Sequence, residues 1–376
     1  MALFFWLALF IVFWTYLGYF LALLLISRVH RRTVQMADIE PPVTMVVTAH
    51  DEARRIKQKL ENMLKIDYPR EKMEIIIVSD GSTDGTDEIV KTFADEGVRL
   101  LRIPERQGKH FGQGRGIQHA RSEIVILSDA TTYLEPDAVR KIVRNFADPT
   151  IGVVSGTDQA RGENLAQSGE GAYVRYEMKL RELEGWVGSL VGASGCFFAI
   201  RKELAREWID DMSSDFYMPI VAHKNGFRTV PETEAIGYYE LAGDPQREFS
   251  RKVRTVLHGL EVLFQFSEIM NVFRYGGYSL QMISHKLMRW LAPFALLILL
   301  VANLSLLDSG SVYRWIMAGQ LALYIMAGIA ALYPSLQKVP AFKVPFFFVM
   351  VNVSIILAWV QYLKGEKQVV WEATQR

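Results

Sequence analysis

The chain has 376 residues, 50% of them hydrophobic and 22% charged, with a formal net charge of +1. A near-neutral balance gives no electrostatic pull toward nucleic acid, so no nucleic-acid partner is expected. One cysteine, Cys196, excludes an internal disulfide and a cysteine-based metal cluster, and suits a domain facing a reducing cytosol.

The apolar residues are unevenly spread. Leu3 to Ile26 is an uncharged run of 24 residues, which as a helix would span about 36 Å against a hydrocarbon core of about 30 Å. This predicts a transmembrane signal anchor over residues 1–32. No small-residue cleavage site follows it, whereas Arg28, His30, Arg31 and Arg32 do. The positive-inside rule then puts the following chain in the cytoplasm and the N-terminus outside.

From Pro41 to about Tyr239 the pattern changes to short apolar strands alternating with amphipathic helices. Strands are expected at Val43–Thr48, Glu74–Ser79, Val98–Arg102, Ile124–Ser128 and Ile151–Gly156, and helices begin at Ala53, Thr86, Gly108 and Pro136. The alternation predicts an α/β domain over residues 41–243 with a mostly parallel sheet. Ligands of such sheets bind at the carboxyl ends of the strands. Here three of those ends carry carboxylates: Thr48-Ala49-His50-Asp51-Glu52, then Ser79-Asp80-Gly81-Ser82-Thr83-Asp84-Gly85, then Ser128-Asp129-Ala130-Thr131. One sheet edge thus gathers a polar constellation suited to a ligand. The competing reading makes Asp80 and Asp84 caps of the next helix. The glycines Gly112, Gly114 and Gly116 lie after the third strand with the wrong spacing for a dinucleotide fingerprint. Arg106 and Lys109 read as cations near a phosphate, or as solvated surface residues.

The ordered set Val46-Val47-Thr48-Ala49-His50-Asp51-Glu52, Val78-Ser79-Asp80-Gly81-Ser82-Thr83-Asp84-Gly85-Thr86, Arg106-Gln107-Gly108-Lys109, Leu127-Ser128-Asp129-Ala130-Thr131 and Ser213-Ser214-Asp215 resembles a membrane-anchored family-2 glycosyltransferase of the polysaccharide-synthase type, over about residues 41–260. The resemblance implies a Rossmann-like GT-A domain. It implies donor-binding residues Ala49, Glu52, Asp80, Lys109 and Asp129, with Glu52 and Asp80 on the ribose and base and Lys109 near the diphosphate. Asp129 would open the family's DxD motif and be the metal ligand for a divalent cation, Mg or Mn. Thr131 stands where the second carboxylate is usual, and is a poor hard-metal ligand beside Asp. Asp215 matches the position of the catalytic base, with Ser214 in place of the usual preceding acid. It could instead favour the N-terminus of the next helix, with Ser213 or Ser214 as its cap.

The second half of the domain is expected to face the acceptor. Gly192 to Arg201 reads as a small-residue turn leading into a buried strand, with Gly195 and Cys196 on the acceptor or diphosphate side and Cys196 a core residue, not a nucleophile. A helix after Asp215 would bury Phe216, Met218, Ile220 and Val221. Residues 244–284 hold a basic amphipathic helix, with Phe249, Val253, Val256, Leu257, Leu260 and Leu263 at helical spacing beside Arg251, Lys252 and Arg254. It suits an anionic leaflet and a cover over the site. Processive relatives carry a QxxRW motif there, and Arg251-Lys252-Val253-Arg254-Thr255 keeps only its Arg, assigned to Arg254 at the diphosphate, with Arg251 and Lys252 on lipid phosphates.

Three transmembrane segments, Leu287–Leu307, Tyr313–Tyr333 and Phe342–Leu363, are expected within residues 285–363, followed by a tail over 364–376. Parity puts the tail outside, whereas Lys364, Lys367 and Arg376 favour the inside. The expected protein is therefore an inverting glycosyltransferase of a bacterial inner membrane, with a UDP-sugar donor, a saccharide acceptor and membrane lipids as partners. A polyprenyl-phosphate or other lipid-linked acceptor is the alternative, and a membrane transporter the non-enzyme rival, opposed by the scarcity of buried charge in the apolar segments.

Overall fold

In the computed structural model, residues 1–161, 169–240 and 245–366 are described. They fall into two compact units. One comprises Arg31–Gly162 and Glu184–Leu241, the other Met1–His30, Glu163–Leu183 and Ala242–Glu366.

The first unit is built on an eight-stranded sheet: β1 (Val43–Ala49), β2 (Met73–Asp80), β3 (Val98–Ile103), β4 (Ile124–Ser128), β5 (Thr132–Leu134), β6 (Ile151–Arg161), β7 (Phe197–Arg201) and β8 (Arg228–Glu240). Their spatial order is β3-β2-β1-β4-β7-β6-β8-β5. The half formed by β3, β2, β1 and β4 is parallel, as the βαβ pattern predicts. The other half is mixed, because β7 runs antiparallel to both β4 and β6, and β5 antiparallel to β8. With β6 and β8 also parallel, four of the seven pairings are parallel and three antiparallel, so the sheet is mostly parallel but mixed in its second half. Continuous β-branched runs such as Ile75–Val78 are buried on both faces, and Val43, Met45, Val47, Ile75, Ile77 and Ile126 form the centre of the core with the helix Ile56–Leu64.

The expected helices at Ala53 and Pro136 begin later, at Ile56 and Ala138, after polar turns, while those at Thr86 and Gly108 hold to within a residue. Gly112 and Gly116 on the helix Lys109–His119 let it lie directly on the sheet. A Cβ at either would meet Thr48 or Val46 within 2.5 Å. The glycine run is thus a helix-on-sheet packing device, consistent with its rejection as a dinucleotide fingerprint.

The second unit is helical. Four of its helices are long and apolar enough to cross a membrane: Ala2–Val29, Gly277–Leu304, Ser311–Leu332 and Pro340–Leu363. The second of these starts ten residues before the expected Leu287. His285, Lys286 and Arg289 break the hydropathy run there, yet His285 and Arg289 are held inside the unit by Glu177, at 2.8 and 2.7 Å. Glu177 lies on the helix Gly169–Val187, for which the sequence carried no expectation. The amphipathic helix Pro245–Gln265 buries the anticipated Val253, Leu257, Leu260 and Leu263. It packs on Pro340–Leu363, with Phe264 stacked on Tyr362 at 5.1 Å and edge-on to Trp359 at 5.8 Å. Part of its apolar stripe is therefore covered by protein. Residues 367–376, which include Lys367 and Arg376, lie outside the described residues, as do residues 241–243 at the expected domain boundary.

Candidate active site

A cavity opens at the carboxyl ends of β1, β2 and β4, where the sequence anticipates it. Thr48, Ala49, His50 and Glu52 line it from β1, Asp80 from β2, and Asp129, Ala130 and Thr131 from β4. Arg106, Gly108 and Lys109 complete the wall. Every donor-side residue singled out in the sequence thus meets in one place.

The loops after β1 and β2 are laced together. Asp51 Oδ1 accepts from Thr83 N at 2.8 Å, Thr86 Oγ1 from Glu52 N at 2.9 Å, and Asp84 Oδ2 from Ala53 N at 2.9 Å. Asp84 Oδ1 also accepts from Thr86 N at 3.1 Å, so the capping role fits Asp84. Asp80 does something else. It is 2% exposed, and its two carboxylate oxygens accept from Gln107 N at 2.8 Å and Gly108 N at 2.7 Å. The carboxylate thereby folds the 105–108 loop over the cavity. Gly81 permits this closure: its φ is +66°, and a Cβ there would collide with Arg106 N at 2.6 Å. Glu52 faces the same cavity with Arg55 at 3.5 Å.

Lys109 joins the donor edge to the loop before β7. Its Nζ lies 2.5 Å from Asp129 Oδ1 and donates to Gly195 O at 2.9 Å. Burial works against the ammonium, but the charge and hydrogen bond of Asp129 outweigh it, and the pKa rises above the ordinary lysine value. Asp129 N in turn donates to Cys196 O at 3.0 Å. The Cys196 thiol is pushed well up by burial and by the Asp158 and Asp129 carboxylates, so it stays protonated, in keeping with a structural role.

Asp215 sits in the first turn of the helix Ser214–Lys224. Ser213 Oγ donates to its Oδ1 at 2.7 Å, and a Cβ at Gly195 would lie 3.4 Å from its Oδ2. The carboxylate therefore faces the same small-residue loop that Lys109 touches, and a larger residue at 195 would crowd it. Neither Ser213 nor Ser214 caps this helix through its side chain. The helix buries Phe216, Met218 and Ile220 as expected, while Val221 is only half-buried and Tyr217 takes its place in the core.

Three features went unseen in the sequence. Ser194 Oγ accepts from Cys196 N and Phe197 N and donates to Asp158 Oδ1 at 2.5 Å, which shapes the 192–196 loop. His110 and Gln113 tie the lysine-bearing helix to Ser214, with Ser214 Oγ donating to Gln113 Oε1 at 2.7 Å. Lys59, a charge on an apolar helix face, reaches the β4 turn. Only the last left a readable trace, since it breaks the stripe Ile56, Leu60, Met63.

Arg251 and Arg254 belong to the helical unit. Arg251 and Lys252 both pair with Glu248, at 2.6 and 2.7 Å, and Lys252 also lies over the Phe347 ring. Although burial opposes it, these cations hold the Glu248 carboxyl down at about 2. Both cations thus share one carboxylate within the helix, and Arg251 remains half-exposed. Arg254 is half-buried.

A divalent cation has one plain donor here. Asp129 supplies a hard oxygen, Thr131 a neutral hydroxyl, and among the described residues no group of three or more His, Cys, Asp or Glu could hold a metal. That set fits a cation bound through one carboxylate and completed by ligand oxygens and water, as a diphosphate would provide.

Comparison with known proteins agrees with this layout. Residues 44–209 match the glycosyl transferase family 2 profile. Poly-beta-1,6-N-acetyl-D-glucosamine synthase of Staphylococcus aureus is 27% identical over 247 residues, 63% of this chain and 60% of the relative. The enzyme of the same name from Staphylococcus epidermidis is 24% identical over 231 residues, 59% of this chain and 56% of the relative. The chain thus spans about 60% of the length of these curated relatives. Among solved structures, the mannosyltransferase PcManGT from Pyrobaculum calidifontis, in complex with GDP-Man and Mn2+, superposes with a TM-score of 0.72 at 21% identity, covering 96% of this chain and 99% of that one. With its sheet, its cavity and its matched profile, the chain carries a glycosyl transferase family 2 domain on a GT-A fold.

Proposed function

We propose that the protein is a membrane-anchored inverting glycosyltransferase that moves a sugar from a nucleotide-sugar, a UDP-sugar being the expected donor, to a saccharide acceptor in surface polysaccharide synthesis. The observation that carries this reading is the continuous path Asp129–Lys109–Gly195–Asp215, which joins the donor-side strand ends to one carboxylate on the acceptor side.

Each residue then has a task. Ala49, Glu52 and the Asp80-closed loop bind the base and ribose, and Lys109 and Arg106 face the diphosphate. Asp215 takes the proton of the acceptor hydroxyl as the acceptor oxygen bonds to the anomeric carbon. The bond from that carbon to the diphosphate oxygen breaks with its electron pair, and the nucleoside diphosphate leaves. A single base and no covalent nucleophile, the Cys196 thiol being held protonated, favour direct displacement with inversion. Lys109 keeps its charge at neutral pH and offsets the charge that develops on the leaving diphosphate. Mg or Mn, held by Asp129, would add Lewis-acid stabilisation of the same charge.

The four apolar helices and the cationic run Arg28 to Arg32 support an integral membrane protein with a cytoplasmic catalytic domain and an external N-terminus. The run Arg251-Lys252-Val253-Arg254-Thr255, which keeps one residue of the processive motif, favours a second reading in which a lipid-linked acceptor receives a single sugar. Membranes carrying the chain, incubated with a panel of labelled nucleotide-sugars and then fractionated by size and by organic extraction, separate the two. Label in long aqueous product supports the polysaccharide reading, and label in a short extractable product the lipid-linked one. Label in neither rules out the proposal.

A further inference from the structure

Lys59 is fully buried, with 0% of its surface exposed, on the core-facing side of the helix Ile56–Leu64. The helical repeat calls for an apolar side chain there. Its Nζ donates to Ser128 Oγ at 2.9 Å and to the Thr132 carbonyl. Those two residues bracket Asp129-Ala130-Thr131, a turn closed by Thr132 N donating to Asp129 O at 3.1 Å. The front of the turn is tied separately, through Asp129 N to Cys196 O. The amine therefore grips the turn from behind, at both ends.

A buried amine with only a hydroxyl and a carbonyl as hydrogen-bond partners is costly, and a methionine of similar length would fill the same space without that cost. Burial pushes the amine down to about 7, even with the Asp129 carboxylate nearby. A group kept at the expense of stability, one layer beneath a cavity, is a mark of function more than of packing.

We propose that Lys59 is a positioning residue for glycosyl transfer: by tying Ser128 to Thr132 from beneath the sheet edge, it sets the direction in which Asp129 meets Lys109 and the diphosphate of the donor. The inference rests on the glycosyl-transfer reading, and specifically on Asp129 and Lys109 as its diphosphate side. It separates Lys59 from residues that hold the base and ribose, which lie at the ends of β1 and β2.

Affinities of the full-length chain in detergent for UDP, UMP, GDP and GMP, with melting temperatures, test this in the wild type, Lys59→Met and Ser128→Ala. Lys59→Met is expected to melt no lower than the wild type, to bind the monophosphate within about twofold, and to lose about tenfold in diphosphate affinity. Ser128→Ala keeps the amine but removes one partner, and should show the same split at about threefold. A diphosphate-to-monophosphate ratio unchanged in both variants overturns the proposal and leaves Lys59 a core residue. If Lys59→Met does not fold, the ratio in Ser128→Ala decides alone: lowered, it supports the clamp; unchanged, it removes it. A wild-type chain that binds none of the four nucleotides sinks the glycosyl-transfer reading and the inference with it, a result visible before any variant is made.

Discussion

At the end of β2, the loop 81–86 is fastened by hydrogen bonds to the loop after β1, through Asp51, Asp84 and Thr86. At the end of β4, the turn 129–131 is fastened instead by Lys59 from the core and by the Cys196 carbonyl from the front. The first loop is held by acids and hydroxyls near solvent, where each bond contributes little net free energy. The second is held by one buried amine, which bonds both ends of the turn and which burial pushes down to about 7. The difference suggests a division of labour: the β1 and β2 ends form a shaped seat, while the β4 turn aims one carboxylate at the reacting groups.

The largest expected effect lies at Asp215, beside the Gly195 loop that Lys109 touches. Asp215→Asn should lower turnover by about 10²-fold or more while nucleotide affinity stays nearly constant, because a positioned base acts in the transition state. Retention of more than about a tenth of the wild-type rate would return Asp215 to a helix-terminus role.

Asp80→Ala strikes the seat. It frees Gln107 N and Gly108 N together, so the 105–108 loop should open and nucleoside mono- and diphosphate affinities should both fall, by about tenfold. This uniform loss contrasts with the diphosphate-selective loss expected of Lys59→Met. Isothermal titration of UDP and UMP against both variants would show whether the two loops differ as described, and identical patterns would erase the comparison.

A smaller effect concerns pH. Folding lowers Lys59 from 10.5 to about 7. Between those values the unfolded chain binds the extra proton, so the free energy of unfolding rises with pH across that window and levels off above it. Denaturation of the wild type at pH 7 and pH 9 should show a gain that Lys59→Met lacks. A gain of the same size in both would mean that Lys59 does not carry it. The smallest effect is expected from Arg251→Ala, whose half-exposed guanidinium pairs with Glu248 three residues away for about 0.3–0.5 kcal/mol and whose loss should leave lipid dependence of activity unchanged. A strong loss in anionic liposomes alone would restore the lipid role.

Much of this architecture was legible because local pattern and tertiary context agree. The runs Val43–Ala49 and Ile75–Val78 are apolar for as long as they are buried, and Asp80, Lys109 and Asp129 stand at strand and helix ends that the sheet brings to one edge. The antiparallel β7 was not legible, since Phe197–Arg201 is equally apolar in either direction. The start of the helix Gly277–Leu304 was hidden because the partner of His285 and Arg289 lies over a hundred residues away, at Glu177. Asp80 is legible as a strand-end acceptor that lines the cavity, whereas its backbone partners at 107 and 108 come from a loop whose path hydropathy does not report. The grouping of Asp80, Lys109 and Asp129 at one sheet edge was legible, and what fastens them came only from three-dimensional packing.

The path from Asp129 through Lys109 and Gly195 to Asp215 is proposed to serve sugar transfer from a nucleotide-sugar. Nucleoside diphosphate release by the purified full-length chain in lipid, measured with wild type and Asp215→Asn against a panel of nucleotide-sugars, tests it most directly. Release from at least one donor is expected of the wild type, falling by about 10²-fold in the variant. Absence of release from every donor, or release undiminished in Asp215→Asn, would contradict it.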